Sequence, residues 1–124
     1  MIDMSGEVQN LTGRKCQACE KGTAPLSSQA VGSYLRQVPD WQLTGDSKSI
    51  SRQWAMKDFV SALQLIQRIG HLAEEENHHP DLHLTGYRKL KIELATHSIG
   101  GLSENDFILA AKIDQLPKEL KKSS

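Results

Sequence analysis

Residues 87–97 read Tyr-Arg-Lys-Leu-Lys-Ile-Glu-Leu-Ala-Thr-His. Apolar Leu90, Ile92 and Leu94 alternate with polar Lys89, Lys91 and Glu93, and successive side chains of a strand point to opposite faces. The stretch therefore predicts a strand from Tyr87 to His97, with one face on a core and the other toward solvent or a second subunit. His97 falls in step with the face opposite the core. Just downstream, Ile99-Gly100-Gly101-Leu102 turns the chain, and Ser103-Glu104-Asn105-Asp106 resembles a capping box with Asp in place of Glu. A helix carrying Phe107, Ile108, Ala111 and Leu116 follows.

Upstream, Leu82-His83-Leu84 before Thr85-Gly86 is a shorter apolar alternation and predicts a partner strand. Before it, Asp58 stands as an N-cap to Phe59, Val60, Ala62, Leu63, Ile66, Ile69, Gly70 and Ala73, the apolar positions of a long amphipathic helix. That helix must stop near Asn77, because the residue before Pro80 is pushed out of the α region. Earlier still, Trp41 and Leu43, the polar turn 44–48, and Ile50, Arg52, Trp54 and Met56 at alternate positions predict a hairpin. Ser27 or Ser28 caps a first helix with Ala30, Val31, Tyr34, Leu35 and Val38, stopped by Pro39-Asp40. The order α-β-β-α-β-β-α predicts an α+β fold, a four-stranded antiparallel sheet with helices packed on one face. Residues 1–25 lack periodicity and read as an irregular or mobile arm holding a CxxC. Residues 26–117 form the domain, and 118–124 read as a basic tail, solvated and frayed.

The 124 residues carry 15 Lys+Arg against 15 Asp+Glu, so zero net charge supplies no pull toward nucleic acid or an anionic membrane. No apolar run approaches the ~18 residues of a membrane span, and the opening MIDMSGEVQN lacks a basic region followed by an apolar one. With only two cysteines, no disulfide framework is available. The expected setting is a reducing cytoplasm.

Four of the five histidines, His78, His79, His83 and His97, fall within twenty residues. His78-His79-Pro80 is the sharpest local feature: proline fixes the backbone, and two adjacent rings must point in different directions. Imidazole titrates near neutrality and serves as acid or base without an extreme shift. His97, at a strand end, is placed to meet the pair across a pocket. Surface histidines beside a turn are the plain alternative, and spacing alone leaves both open. A metal site is the lesser reading. His78, His79, His83 and His97 with the carboxylates 74–76 fit no compact motif, and HExxH is absent. Cys16 and Cys19 have the spacing of half a zinc knuckle; the reading preferred within one chain is two unpaired thiols, with zinc shared between two arms as its rival. Glu74-Glu75-Glu76 is most simply a solvated helix end, although acid there opposes the helix dipole, and Glu74 sits four residues before His78. Asp106 starts a helix and is also of the type that holds an imidazole in one tautomer. Trp41, Trp54 and Phe59 are core candidates first.

The block Glu74…His78-His79-Pro80…Tyr87…Thr96-His97…Gly101-Leu102-Ser103…Asp106, with Pro39-Asp40-Trp41 and Lys57-Asp58-Phe59 upstream, resembles the pterin-4a-carbinolamine dehydratases. The resemblance runs from about Leu26 to Leu116. Animal members have an acidic residue where this chain has Asn77, and one residue fewer before the aromatic. The resemblance implies dehydration of a 4a-hydroxytetrahydropterin to quinonoid dihydropterin plus water, recycling the pterin of aromatic amino-acid hydroxylases. It implies His78, His79 and His97 as catalytic residues. Pro80, Thr96, Ser98 and Ile99 would line the substrate, with Glu74 and Asp106 as supporting carboxylates. The pterin is then substrate, with no retained cofactor and no metal. The implied partners are the pterin and further copies of the chain, as a homodimer or homotetramer. A role in molybdenum-cofactor metabolism, or as a dimerisation partner and transcription co-regulator, is the alternative.

Overall fold

The apolar–polar alternation of residues 89–94 forms the organising strand. The computed structural model describes residues 11–18 and 23–122. Strands β1 (Gln42–Leu43), β2 (Ile50–Ala55), β3 (Asp81–Thr85) and β4 (Lys89–Leu94) and helices α1 (Ser28–Leu35), α2 (Phe59–Glu76) and α3 (Glu104–Asp114) follow in the expected order. The sheet is antiparallel, in the order β1-β2-β4-β3. Its register sets Ile50 opposite Leu94, Trp54 opposite Leu90 and Leu82 opposite Ile92. Leu90, Ile92 and Leu94 are fully buried, each stabilising the fold by about 1.5–3 kcal/mol. The same core takes Val31 from α1, Leu65 and Ile69 from α2, and Phe107, Leu109 and Ile113 from α3. The other face carries Gln53, Lys89, Lys91 and Glu93.

Helix α2 begins as its sequence directs. The Asp58 carboxylate accepts the Ser61 N–H at 2.8 Å, and Ser61 Oγ accepts the Asp58 N–H at 2.9 Å. Its buried stripe is Ala62, Leu65, Ile69, Ala73 and Glu76. Phe59, Val60 and Leu63, expected on the core face, are instead 48, 60 and 44 % exposed; Val60 and Leu63 fall outside the 3–4 residue spacing that the buried stripe keeps, and Phe59, three residues before Ala62, is the first residue of the helix, ahead of that stripe. Phe59 is accordingly not a core residue. The helix ends where Pro80 requires. Asn77 takes the left-handed conformation (φ 53°) that asparagine tolerates, and its N–H returns to the Ala73 carbonyl. The HHP segment therefore leaves α2 at a fixed angle.

Three segments differ from expectation. β4 stops at Leu94, and His97–Ile99 form one 3-10 turn. The Thr96 N–H bonds to the Gly101 carbonyl at 2.9 Å, pinching off the loop that carries His97. Gly101 permits this course, since a Cβ there would lie 2.9 Å from Pro25 Cβ. Secondly, residues 11–18 are held against the body rather than free: Leu11 and Cys16 are buried. Thirdly, the tail does not fray at residues 119–121: the Lys57 N–H bonds to the Glu119 carbonyl at 2.9 Å and the Lys121 N–H to the Ala55 carbonyl at 2.8 Å.

Candidate active site

The end of α2 and the start of α3 meet at one carboxylate. Asp106, the third residue of α3, is fully buried. Its Oδ2 accepts the Ser103 N–H at 3.0 Å and the Thr96 hydroxyl at 2.9 Å. The first of these is the backward half of the capping box suggested by the sequence. Because Thr96 gives its proton to Asp106, the Ser103 hydroxyl donates to Thr96 Oγ1, 2.7 Å away. Oδ1 is left for His78, whose Nε2 lies 2.6 Å away. A carboxylate only accepts, so the shared proton belongs to Nε2, leaving Nδ1 of His78 as the atom that takes up or delivers a proton.

The second pair is built differently. His79 Nε2 lies 2.5 Å from Glu74 Oε2, on the last turn of α2. These side chains are 57 and 77 % exposed, against 12 and 0 % for His78 and Asp106. His79 and Glu74 open onto a cleft of about 450 Å³, together with Gln67, Gly70, His71, Pro80 and Leu82. Glu74, four residues before His78, thus serves the next histidine, and Asp106 serves His78.

His97 is not hydrogen-bonded to the pair. It lines a separate cleft of about 190 Å³ with Asp46, Lys48, Ser49 and Gly100. Its connection is one residue away, through Thr96, whose hydroxyl shares Asp106 with His78. Ser98 and Ile99 sit on the same 3-10 turn, Ser98 exposed and Ile99 half-buried. His83 pairs with Glu93 at 3.1 Å on the exposed sheet face, away from both clefts.

Two residues escaped sequence reasoning. His71 shares the cleft of His79; its signal was the i, i+4, i+7 spacing of Gln67, His71 and Glu74 on one helix face. Glu76, taken with its neighbours as a solvated end, is only 7 % exposed. It accepts the Cys16 N–H at 2.8 Å and the Lys112 ammonium at 2.6 Å. Burial raises its pKa. The Lys112 hydrogen bond, the Cys16 N–H and the charges of Lys112 and Lys15 outweigh that and hold it below the usual carboxylate value. The signal was again periodic, since Glu76 continues the buried stripe three residues after Ala73. Burial first, and then the charge of Glu76, push the Cys16 thiol up to about 12, which keeps it protonated at neutral pH. Cys19 lies outside the described residues. Among the described residues, no three His, Cys, Asp or Glu side chains gather as a metal site, and no helix is long and apolar enough to cross a membrane.

A buried imidazole–carboxylate pair beside a water-exposed one, on an α+β scaffold, has the groups that histidine acid–base chemistry requires. The model of the pterin 4 alpha carbinolamine dehydratase family matches residues 24–116, and the chain belongs to that family. It is 44 % identical over 113 residues to pterin-4-alpha-carbinolamine dehydratase 2, mitochondrial, of Arabidopsis thaliana, covering 89 % of this chain and 60 % of the plant protein. It is 44 % identical over 107 residues to a putative pterin-4-alpha-carbinolamine dehydratase of Halorhodospira halophila, covering 86 % of this chain and 97 % of that one. Among solved structures, a transcriptional coactivator/pterin dehydratase from Brucella melitensis matches with a TM-score of 0.68 at 30 % identity, over 73 % of this chain and 95 % of that chain.

Proposed function

We propose that the protein dehydrates a 4a-hydroxytetrahydropterin to quinonoid dihydropterin and water, by histidine acid–base catalysis. The observation that carries the reading is the 2.6 Å contact of His78 with the fully buried Asp106, in a chain of this family. The reaction breaks the C4a–O bond, removes the N5 proton and forms the C4a=N5 double bond. It needs an acid at the leaving hydroxyl and a base at N5, and neutral-range imidazoles suit both tasks. In this reading His79 anchors and polarises the pterin, oriented by Glu74. His78 and His97 flank the ring on opposite sides: the one beside the 4a-hydroxyl protonates it as water leaves, and the other, in its neutral form, takes the N5 proton, with Asp106 fixing the tautomer of His78. Backbone groups of Thr96–Ile99, with Ser98 and Ile99 at the turn, hold the ring edge, and Pro80 walls the cleft. A cleft of about 450 Å³ lies within the ~300–1,000 Å³ of small-molecule sites. The pterin is substrate, and the reaction calls for no cofactor or metal.

The test is quinonoid-dihydropterin formation from freshly generated 4a-hydroxytetrahydropterin, with and without chelator. His79→Ala, and His78→Ala combined with His97→Ala, are each expected to lower kcat/KM by about 10²-fold, and chelator to leave the rate unchanged. Wild-type rates in both variants overturn the assignment. The proposed setting is the cytoplasm, and the working form a homodimer or homotetramer. The exposed Phe59, Val60 and Leu63 surface of α2 supports assembly. Light scattering that gives only monomer at working concentration counts against it.

A further inference from the structure

Residues 14–17 touch two helices in succession. Arg14 pairs with Glu104 in the first turn of α3. Lys15 Nζ donates to the Glu75 carbonyl at 2.9 Å, in the last turn of α2. The Cys16 N–H donates to Glu76 Oε1 at 2.8 Å, also in α2. Gln17 returns to α3. Its N–H donates to Asn105 Oδ1 at 2.9 Å, and its carbonyl accepts Asn105 Nδ2 at 2.5 Å. Four consecutive residues thus stitch Glu75 and Glu76 to Glu104 and Asn105. The stitches end two residues short of His78 on one helix and one residue short of Asp106 on the other. Beneath them, the Glu76–Lys112 ion pair at 2.6 Å joins the same two helices, and the fully buried Leu11 anchors the segment to the core.

The His78–Asp106 bond joins the chain just leaving α2 to the first turn of α3. A hydrogen bond at 2.6 Å tolerates little relative sliding of its two carriers. We propose that residues 14–17 form a positioning strap: by lacing the end of α2 to the start of α3, they hold the His78–Asp106 pair at bonding distance. Asn105 is the positioning residue that takes both backbone bonds of Gln17. The consequence for turnover rests on the dehydratase reading; the consequence for the pair does not.

The experiment uses the full chain carrying Asn105→Ala, with no ligand for the first readout. In wild-type protein the His78 Nε2 proton, held by Asp106 at 2.6 Å, is expected to give a low-field, slowly exchanging NMR signal. In Asn105→Ala its exchange with solvent is expected to quicken by about tenfold, as expected of a locally opened contact. The second readout is dehydration: kcat falls by about tenfold with KM within about twofold of wild type, since orientation and not ground-state binding is lost. A milder variant, Arg14→Ala with Lys15→Ala, changes only water-exposed residues and is expected to quicken exchange by about threefold. A fall in melting temperature with unchanged His78 exchange and unchanged kcat makes the strap merely structural and overturns the proposal. If Asn105→Ala does not fold, the milder pair decides: unchanged exchange overturns the proposal and faster exchange supports it. Faster exchange in a protein whose wild type does not turn over the pterin overturns the dehydratase reading and leaves the strap standing.

Discussion

His78 and His79 are neighbours in the chain, and each meets one carboxylate at hydrogen-bond distance, yet the two contacts are physically unlike. His78 and Asp106 are 12 and 0 % exposed, and Asp106 has two further donors from Thr96 and Ser103. His79 and Glu74 are 57 and 77 % exposed. In the interior, a pair is weakly screened and costly to break from one side. At the surface, water competes for both partners and the net contribution is small. One imidazole is therefore a fixed part of the scaffold. The other is held lightly enough to turn onto a ligand in the cleft it faces.

The comparison breaks most sharply at Asp106. Asp106→Ala leaves the Ser103 N–H, the Thr96 hydroxyl and His78 Nε2 without their common acceptor, and is expected to destabilise the protein by about 3–5 kcal/mol in chemical denaturation. Asp106→Asn keeps the shape and separates the two roles. Most of the fold survives, and kcat falls by about 10²-fold, because the amide no longer dictates the His78 tautomer. Near-wild-type turnover in Asp106→Asn would show that His78 needs no fixed tautomer.

A third carboxylate, Glu76, extends the contrast and gives a pH test. Its pKa is held down by the Lys112 hydrogen bond and the Cys16 N–H against the upward pull of burial. A depressed carboxylate contributes stability that is present above its unfolded pKa and is lost as pH falls through its folded value. In Lys112→Met two of the causes that hold the pKa down are gone and burial is opposed only by the Cys16 N–H and the Lys15 charge, so Glu76 contributes less stability at neutral pH than in wild type, and acid removes that difference. The variant is expected to be about 3 kcal/mol less stable than wild type at pH 7, with the gap narrowing as pH falls toward 4. A gap that stays constant or widens in acid, measured by urea denaturation across that range, would refute the sign.

The residues that were legible share one property: their reading depends on short stretches of chain. The β4 alternation, the Asp58 cap and the stop before Pro80 are local, and each formed as expected. The reading of Asp106 as both helix start and imidazole holder was also sound in geometry, because the backward half of a capping box is a three-residue event. What was misread depends on distant chain. Phe59, Val60 and Leu63 are apolar, but apolarity does not say which side of a helix the sheet will cover. Glu76 looked solvated because its partners, Cys16 and Lys112, are sixty and thirty-six residues away. His97 keeps strand period only while the strand lasts, and the Thr96–Gly101 bridge ends it three residues early. Residues 11–18 show no period in the sequence, since they are held by hydrogen bonds to other elements and by two buried side chains, Leu11 and Cys16.

The smallest expected effect, at Glu74, separates orientation from stability. Glu74→Gln keeps an acceptor near His79 Nε2 and removes the charge. Both partners are more than half exposed, so the change in folding free energy should stay within about 0.5 kcal/mol. Its kinetic effect should be larger than its stability effect, because the carboxylate favours one ring orientation. If His79 turns onto the pterin during turnover, the loss falls on KM as much as on kcat, since the ring then anchors substrate in the ground state as well. Wild-type KM together with a large fall in kcat would instead make His79 a proton-transfer residue like His78. The difference in burial between the two pairs would then no longer track a difference in role.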